Sequence, residues 1–270
     1  MAAAFAHRFG PWAVVCGASE GIGLAFSKQL AGEGLNLVII ARREGPLKAL
    51  AEDLAFTYGV SVVPVALDLS ADDATSKLEA EIRHFDVGLL IYNACASSIC
   101  AFAEASPEAL DNVVACNCRG LVRTARLIAP KLLARPQGGG LLLMSSMSGF
   151  TGHACAAAYA ASKAFTTSLG QGLWAELEPK GITVRVCAAG ATKTPNFLAA
   201  TPEEKRGLAM PMDAERVARE ALQAMERKGS RGALVVPGIL NRFAAFLMRR
   251  VLGPTAACRF MSSNLRRIYS

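Results

Sequence analysis

Residues 141–163 read LLLMSSMSGFTGHACAAAYAASK, and the order of residue types in them decides the fold. Four apolar residues, 141–144, form a short buried strand; a Ser/Gly-rich loop over 145–152 follows; a helix then opens that carries Tyr159 and, one turn on, Lys163. A strand feeding a helix through a polar loop is the repeating element of an α/β protein. Residues at i and i+4 share a helix face, so this phenol and this ammonium point into the same space. An unperturbed phenol has a pKa of about 10, and a nearby cation favours its ionised form. The pair therefore points to acid–base chemistry, against the plainer reading of a helix-surface contact, and the rest of the chain has to choose between them.

The same alternation runs through the flanking sequence. Strands are expected at 12–16, 37–41, 62–67, 87–93, 183–188 and 233–236, and helices from the glycine turn to about 32, then at 46–58, 71–85, 107–133, from the Tyr159 loop to 178, and at 213–227. Strands alternating with helices specify a doubly wound parallel sheet of the Rossmann type. The length of 270 residues and 52% apolar content suit one large domain over 1–240 with a tail over 241–270. In such sheets ligands lie beyond the carboxyl ends of the strands, where Gly17, Arg42, Asp68, Asn93, Ser146 and Gly190 all fall.

The first strand runs into Gly17-Ala18-Ser19-Glu20-Gly21-Ile22-Gly23 and a helix. Backbone N–H groups and the positive helix end can face a pyrophosphate there, and absent side chains let it approach. Ser19, Glu20 and Ile22 belong to the same turn. At the end of the second strand stands Ala41-Arg42-Arg43, where an NAD site would offer a carboxylate to the ribose hydroxyls. A guanidinium suits a 2′-phosphate instead, so the expected cofactor is NADP(H). The competing reading has Arg42 and Arg43 solvating a strand end and pairing with Glu44.

These residues together resemble the short-chain dehydrogenase/reductase family, over nearly the whole chain to about Gly238. The family's glycine turn resembles Gly17, Gly21 and Gly23, and its adenine-contacting Asp resembles Asp68, followed by Leu69. Its Asn-Ala-Gly segment resembles Asn93-Ala94-Cys95, and its late Pro-Gly motif resembles Ala189-Gly190 with Thr192 and Thr194. Its catalytic tetrad resembles Asn117, Ser146, Tyr159 and Lys163. Cys16, Cys95 and Ala189 depart from the family's Thr, Gly and Pro. Within the family, strings such as Phe9-Gly10-Pro11-Trp12, Tyr58-Gly59-Val60 and Thr194-Pro195 are similar to those of NADP-dependent bacterial hydroxysteroid dehydrogenases of the 7β type.

The resemblance implies reversible hydride transfer between NADP(H) and a ketone or secondary alcohol. Ser146 would donate a hydrogen bond to the carbonyl and Tyr159 would protonate it. Lys163 would lower the Tyr159 pKa and hold ribose hydroxyls, with Asn117 holding a water that relays protons to Lys163. A hydrophobic, steroid-like substrate is expected, with a 3-oxoacyl thioester or another carbonyl compound as the alternative. Two readings from other classes are an NADP(H) sensor, which would not need the Tyr159/Lys163 pair, and a membrane-surface binding protein. Family members commonly pair through the helices that here cover 107–133 and 155–178, so a homodimer or homotetramer is expected. His153 is expected to line the substrate pocket or the surface rather than to catalyse.

Charge and cysteine usage bound the remaining possibilities. The net charge of +7 splits into −2 up to Glu226 and +9 beyond it, with all 22 acids in the first part. No nucleic-acid motif accompanies the basic tail, so nucleic acid is not an expected partner. Phe243, Phe246, Leu247 and Val251 recur at helical spacing with Arg242 and Arg249 opposite, an amphipathic pattern compatible with peripheral membrane contact. The eight Cys show no metal-ligand spacing, so no metal is expected, and their apolar settings predict buried free thiols in a reducing cytoplasm. Residues 1–10 lack a secretory apolar core and no apolar run approaches ~18 residues, so the expected protein is soluble and cytoplasmic. The segment 194–212, with apolar Phe197, Leu198, Leu208, Met210 and Met212, is expected to form a lid over the substrate.

Overall fold

The computed structural model describes residues 2–227 and 232–269. Lys228 and Arg231, two of the tail cations, lie outside the described residues. The first half of the chain runs α1 (Ala2–Phe9), β1 (Trp12–Cys16), α2 (Gly21–Gly32), β2 (Asn36–Ala41), α3 (Glu44–Tyr58), β3 (Val62–Ala66), α4 (Ala74–Ile82), β4 (Val87–Tyr92), α5 (Pro107–Val114) and α6 (Leu121–Leu133). The second half continues with β5 (Gly139–Ser146), α7 (Ala157–Leu177), β6 (Ile182–Ala189), β7 (Thr192–Lys193), α8 (Pro195–Ala200), β8 (Met212–Asp213), α9 (Ala214–Glu226), β9 (Leu234–Val235), α10 (Ile239–Phe246) and α11 (Pro254–Tyr269). Seven strands form one parallel sheet in the order β3-β2-β1-β4-β5-β6-β9.

Successive side chains of a strand face opposite sides of its sheet. Ala13, Val15, Leu37, Ile39, Leu89 and Ile91 accordingly join α2, α3 and α9 in one core. Val14, Cys16, Val38, Ile40, Leu90 and Tyr92 join α4, α6 and α7 in the other. Covering both faces explains why β4 and β6 are buried throughout, β6 including Arg185, whose guanidinium pairs with Glu178 at 2.9 Å. The direction of winding reverses between β1 and β4, and parallel register sets Cys16 opposite Tyr92 and Ser146 opposite Ala189. The residues that follow these strands therefore meet along one edge.

Four features differ from expectation. Residues 2–9 form a helix whose Phe5 and Phe9 are buried in the first core, their ring centroids 4.7 Å apart. The predicted single helix over 107–133 is interrupted by a π-helical turn at Ala115–Gly120. Here the Tyr92 hydroxyl donates to the Cys116 carbonyl at 2.6 Å, and Gly120 packs so closely that an added Cβ would lie 2.7 Å from that same hydroxyl. A second helix, α11, extends the tail beyond the amphipathic pattern seen around Phe243. All eight thiols are free, but only Cys16, Cys116 and Cys187 are buried, and Cys95 is exposed.

Candidate active site and cofactor cleft

The glycine turn is built by close backbone approach. Gly17 has φ +76° and Gly21 has φ +57°, conformations that side chains rarely adopt. A Cβ on Gly23 would overlap the Gly17 carbonyl, so the turn closes only with hydrogen at that position. The amides of Gly17 and Ala18 both donate to the Ile40 carbonyl, at 2.8 and 3.0 Å, and Asn93 Nδ2 donates to the Gly17 carbonyl at 2.9 Å. These bonds brace the turn without the hydroxyl that Cys16 lacks. No side chain caps the N-terminus of α2 and no acid lies in its first turn. Its amide groups thus remain directed at the cleft, as a phosphate requires. This uncapped helix end behind a turn that only Gly23 lets close fits a dinucleotide pyrophosphate.

At the β2 edge Arg43 pairs with Glu20 at 2.6 Å, while Glu44 pairs with Lys48 at 2.7 Å. The competing expectation of an arginine pairing with Glu44 is therefore not what the structure contains. Arg42 is exposed and makes no ion pair among the described residues. Its charge reaches Asp68. Burial opposes ionisation of that carboxyl, but the Ser70 hydroxyl and amide, at 2.7 and 2.9 Å, together with Arg42, hold it below the usual carboxylate range. Leu69 beside it is buried. Across the cleft, Thr192 Oγ1 donates to the Gly190 carbonyl, and Thr194 caps α8 by accepting from the Phe197 amide at 3.2 Å. The Thr194 side chain also lies against Gly21.

The four predicted catalytic residues converge from three elements. Ser146 ends β5 and its Oγ accepts from the Ser148 amide at 3.1 Å. Neighbouring Ser145 turns the other way and ties β5 to α7, donating to the Lys163 carbonyl at 2.7 Å. Gly149 lies against the α7 backbone, where an added Cβ would be 2.6 Å from the Lys163 carbonyl carbon. Loop and helix are thereby fixed to each other around the Tyr159/Lys163 turn. Lys163 is buried, donates to the Met144 carbonyl at 2.9 Å, and sits 5.6 Å from the centre of the Tyr159 ring. Burial disfavours its charge, but the Cys95 thiol and the Tyr159 phenol beside it outweigh that, and its pKa lies above the ordinary lysine value.

Asn117 stands in the π-helical turn, buried. Its Nδ2 donates to the Ala96 carbonyl and to Ser162 Oγ, at 2.8 and 2.9 Å, and its Oδ1 accepts from the Ala96 amide at 2.8 Å. Both amide N–H groups are used, so the side chain clamps the segment after β4 to α7. Sequence reasoning assigned this residue a water and missed Ser162, the acceptor that carries the clamp onward. It also left Cys95 as a departure from a motif, whereas its thiol donates to the Ala96 carbonyl at 3.4 Å and raises the Lys163 pKa.

His153 is buried rather than at the surface. Its Nδ1 lies 3.1 Å from the Ala154 carbonyl and its Nε2 has no partner among the described residues. The tail roofs this region: Ser262 of α11 accepts from the Ala154 amide at 3.0 Å, Arg249 lies 5.3 Å over the Phe150 ring, and Ala245 and Met248 are buried with Met147. Asn241 of α10 packs on Gly190, 2.7 Å from where a Cβ would stand. Contacts between a distant tail and the catalytic loop leave no local pattern in sequence.

The family model for short chain dehydrogenases matches residues 11–205. A 7β-hydroxysteroid dehydrogenase of Mediterraneibacter gnavus is 31% identical over 223 residues, 83% of this chain and 84% of that protein. A very-long-chain 3-oxoacyl-CoA reductase of Aspergillus fumigatus is 37% identical over 190 residues, 68% of this chain and 55% of that protein. Among solved structures, a 7β-hydroxysteroid dehydrogenase superposes with a TM-score of 0.85 at 26% identity, covering 95% of this chain and 98% of that one. A short-chain dehydrogenase from Sphingobium yanoikuyae in complex with NADPH gives a TM-score of 0.76 at 28% identity, covering 90% of this chain and 97% of that one. The chain belongs to the short-chain dehydrogenase family and is an NAD(P)-dependent oxidoreductase acting on CH–OH groups.

Proposed function

We propose that the protein interconverts a ketone and a secondary alcohol on a bulky hydrophobic substrate of steroid size, with NADP(H) as the cofactor. The observation that carries the reading is the buried Lys163 ammonium beside the Tyr159 ring, at the end of the strand that presents Ser146. When bound, the nicotinamide supplies or takes the hydride. Ser146 donates a hydrogen bond to the substrate carbonyl oxygen and Tyr159 delivers the proton to it. Lys163 favours the phenolate form of Tyr159 through its charge. Lys163 also holds ribose hydroxyls, leaving Met144 to do so. Asn117 positions the loop after β4, and any relayed water is held at the same turn.

Gly17, Ser19, Glu20, Gly21, Ile22 and Gly23 hold the pyrophosphate side of the cofactor, with Asn93, Ala94, Gly190, Thr192 and Thr194 enclosing its ribose and nicotinamide. Asp68 and Leu69 face the adenine. The choice of NADP(H) rests on Arg42, since Arg43 is already engaged by Glu20 and Ala41 presents no carboxylate. The NADPH complex of the Sphingobium relative agrees with that choice.

The substrate reading rests on the segment after β6. Leu198, Leu208 and Met210 there are 41, 52 and 69% exposed, an apolar surface ready to close over a large ligand. The relatives named for a steroid and a long acyl chain both handle bulky apolar substrates by their names. Both sites are assigned to residues 1–240, and the tail over 241–270 packs on the loop after β5. Val114, Val122 and Phe165 are 54, 39 and 40% exposed on the α5–α7 helices and support a homodimer or homotetramer there. Among the described residues no helix is long and apolar enough to cross a membrane, and the proposed location is cytoplasmic.

The test is a turnover screen of a steroid ketone, a 3-oxoacyl thioester and small ketones with NADPH and NADH, read by nicotinamide absorbance. Highest kcat/KM for the steroid ketone with NADPH is expected. A preference for the acyl thioester or for small ketones overturns the substrate reading, and a preference for NADH overturns the cofactor reading.

A further inference from the structure

Helix α10 is apolar on the side where a surface helix is normally polar. Its inner side supplies Ala245, buried against Met147 and Met248, and sets Asn241 on Gly190. Its outer side carries Ile239, Phe243 and Phe246 at i, i+4 and i+7, with Leu240 beside them. These four are 71, 62, 56 and 65% exposed. Val251 and Phe260 farther along the tail are exposed as well.

The charge of the tail around this stripe is basic, and Arg242 is paired with Glu220 of α9 at 3.7 Å. Arg242, Arg249, Arg250, Arg259, Arg266 and Arg267 are all exposed, and the sequence contains no Asp or Glu after Glu226. On α11 an open groove of about 550 Å³ is lined by Cys258, Arg259, Ser262, Ser263, Arg266 and Arg267. It offers guanidinium and hydroxyl donors to an anion and no carboxylate to oppose one.

This combination selects among occupants. A second copy related by a twofold axis would set the patch against itself, arginine field facing arginine field, and such like-charge apposition is unfavourable. An apolar peptide would leave Arg250, Arg259 and Arg267 without counter-charge, and an acidic one would leave the phenylalanines in water. A bilayer surface with anionic headgroups satisfies both, with acyl chains receiving Ile239, Phe243 and Phe246 and phosphates receiving the guanidiniums. We propose that the outer face of α10, with the arginines between 242 and 267, docks the protein on an anionic lipid surface as an interfacial helix. Because the inner face of α10 roofs the catalytic loop, docking holds that loop about one helix diameter, ~10 Å, from the lipid.

The test uses the full-length protein, without substrate, and sedimentation with vesicles of phosphatidylcholine alone or containing about 30% phosphatidylglycerol. The wild type is expected to pellet only with the anionic vesicles, and less as salt rises. Phe243→Asp with Phe246→Asp should abolish pelleting while ketone reduction and the sedimentation coefficient in vesicle-free buffer stay at wild-type values. Arg250→Glu with Arg259→Glu should weaken vesicle binding at least about tenfold. Wild-type protein that stays in solution with both vesicle types, or a double Asp variant that still pellets, overturns the proposal. So does a double Asp variant that dissociates an oligomer in solution, which would assign the face to a second copy.

Discussion

The Asn117 carboxamide donates to Ser162 Oγ across 2.9 Å, and the Ser162 hydroxyl passes the bond to the Tyr159 carbonyl at 2.8 Å. The π-helical turn is thus wired to the backbone of the residue proposed to move the proton. Because Asn117 also grips Ala96 through both its oxygen and its amide, one side chain fixes the helix of Tyr159 and the cofactor-side segment after β4 relative to each other.

Asn117→Ala breaks three bonds and strands the Ala96 amide, the carbonyl keeping the Cys95 thiol at 3.4 Å. A buried polar group left without a partner costs about 1–3 kcal/mol, and each kcal/mol moves Tm by about 2–4 °C in a protein near this size. Tm should therefore fall by several degrees, with kcat lowered as Tyr159 loses its fixed position. Calorimetry beside steady-state rates checks both, and a variant with wild-type Tm would remove the clamp from the account.

Tyr159→Phe deletes the proton donor and keeps the ring against Lys163. NADPH affinity, measured by fluorescence titration, should stay near wild type while kcat drops at least ~10²-fold, the scale of general acid catalysis. Near wild-type turnover would contradict the proposed mechanism.

Ala41→Asp combined with Arg42→Ala replaces the phosphate-pairing cation by a carboxylate. Losing one charge-assisted hydrogen bond costs about 1.5–3 kcal/mol, or roughly 10- to 150-fold in relative kcat/KM for NADPH over NADH. An unchanged cofactor ratio would show that Arg42 does not read the phosphate.

Burial lowers the His153 pKa, against a smaller opposing contribution from its bond to the Ala154 carbonyl. Below about pH 6.5, the ordinary imidazole value, the unfolded chain takes up a proton that the folded chain resists. Stability is therefore full above that pH and declines as pH falls toward the depressed folded value. His153→Gln should flatten the urea midpoint across about pH 5 to 7.5, and a profile as steep as wild type would place the acid sensitivity elsewhere.

The sheet was legible because its signals are local and periodic. Apolar strands, the Gly17–Gly23 turn and the Tyr159/Lys163 spacing each sit within a few residues, and the order of the strands then fixes which residues share an edge. What sequence did not reveal was set by partners far along the chain. Residues 2–9 have no cap or long period to announce a helix, and only the pocket between the sheet and α9 gives Phe5 and Phe9 a reason to form one. The engagement of Arg43 by Glu20 depends on a turn bringing them within 2.6 Å, and the contact from Ser262 to Ala154 spans more than a hundred residues. Glu44, adjacent in sequence to Arg43, was taken by Lys48 one helical turn away.

The π-helical turn at Ala115–Gly120 also sets how this protein can vary over generations. A π turn holds one residue more than the α turn it interrupts. Deleting any residue between Ala115 and Gly120 would let the ladder close as continuous α-helix. That would rotate α6 by roughly 100° relative to α5 and carry Leu121, Ala125, Ile128 and Leu132 off the sheet. Point changes in this stretch are therefore tolerable where they spare Asn117 and Gly120, while changes of length are not. Related sequences should differ here in spelling and agree in count.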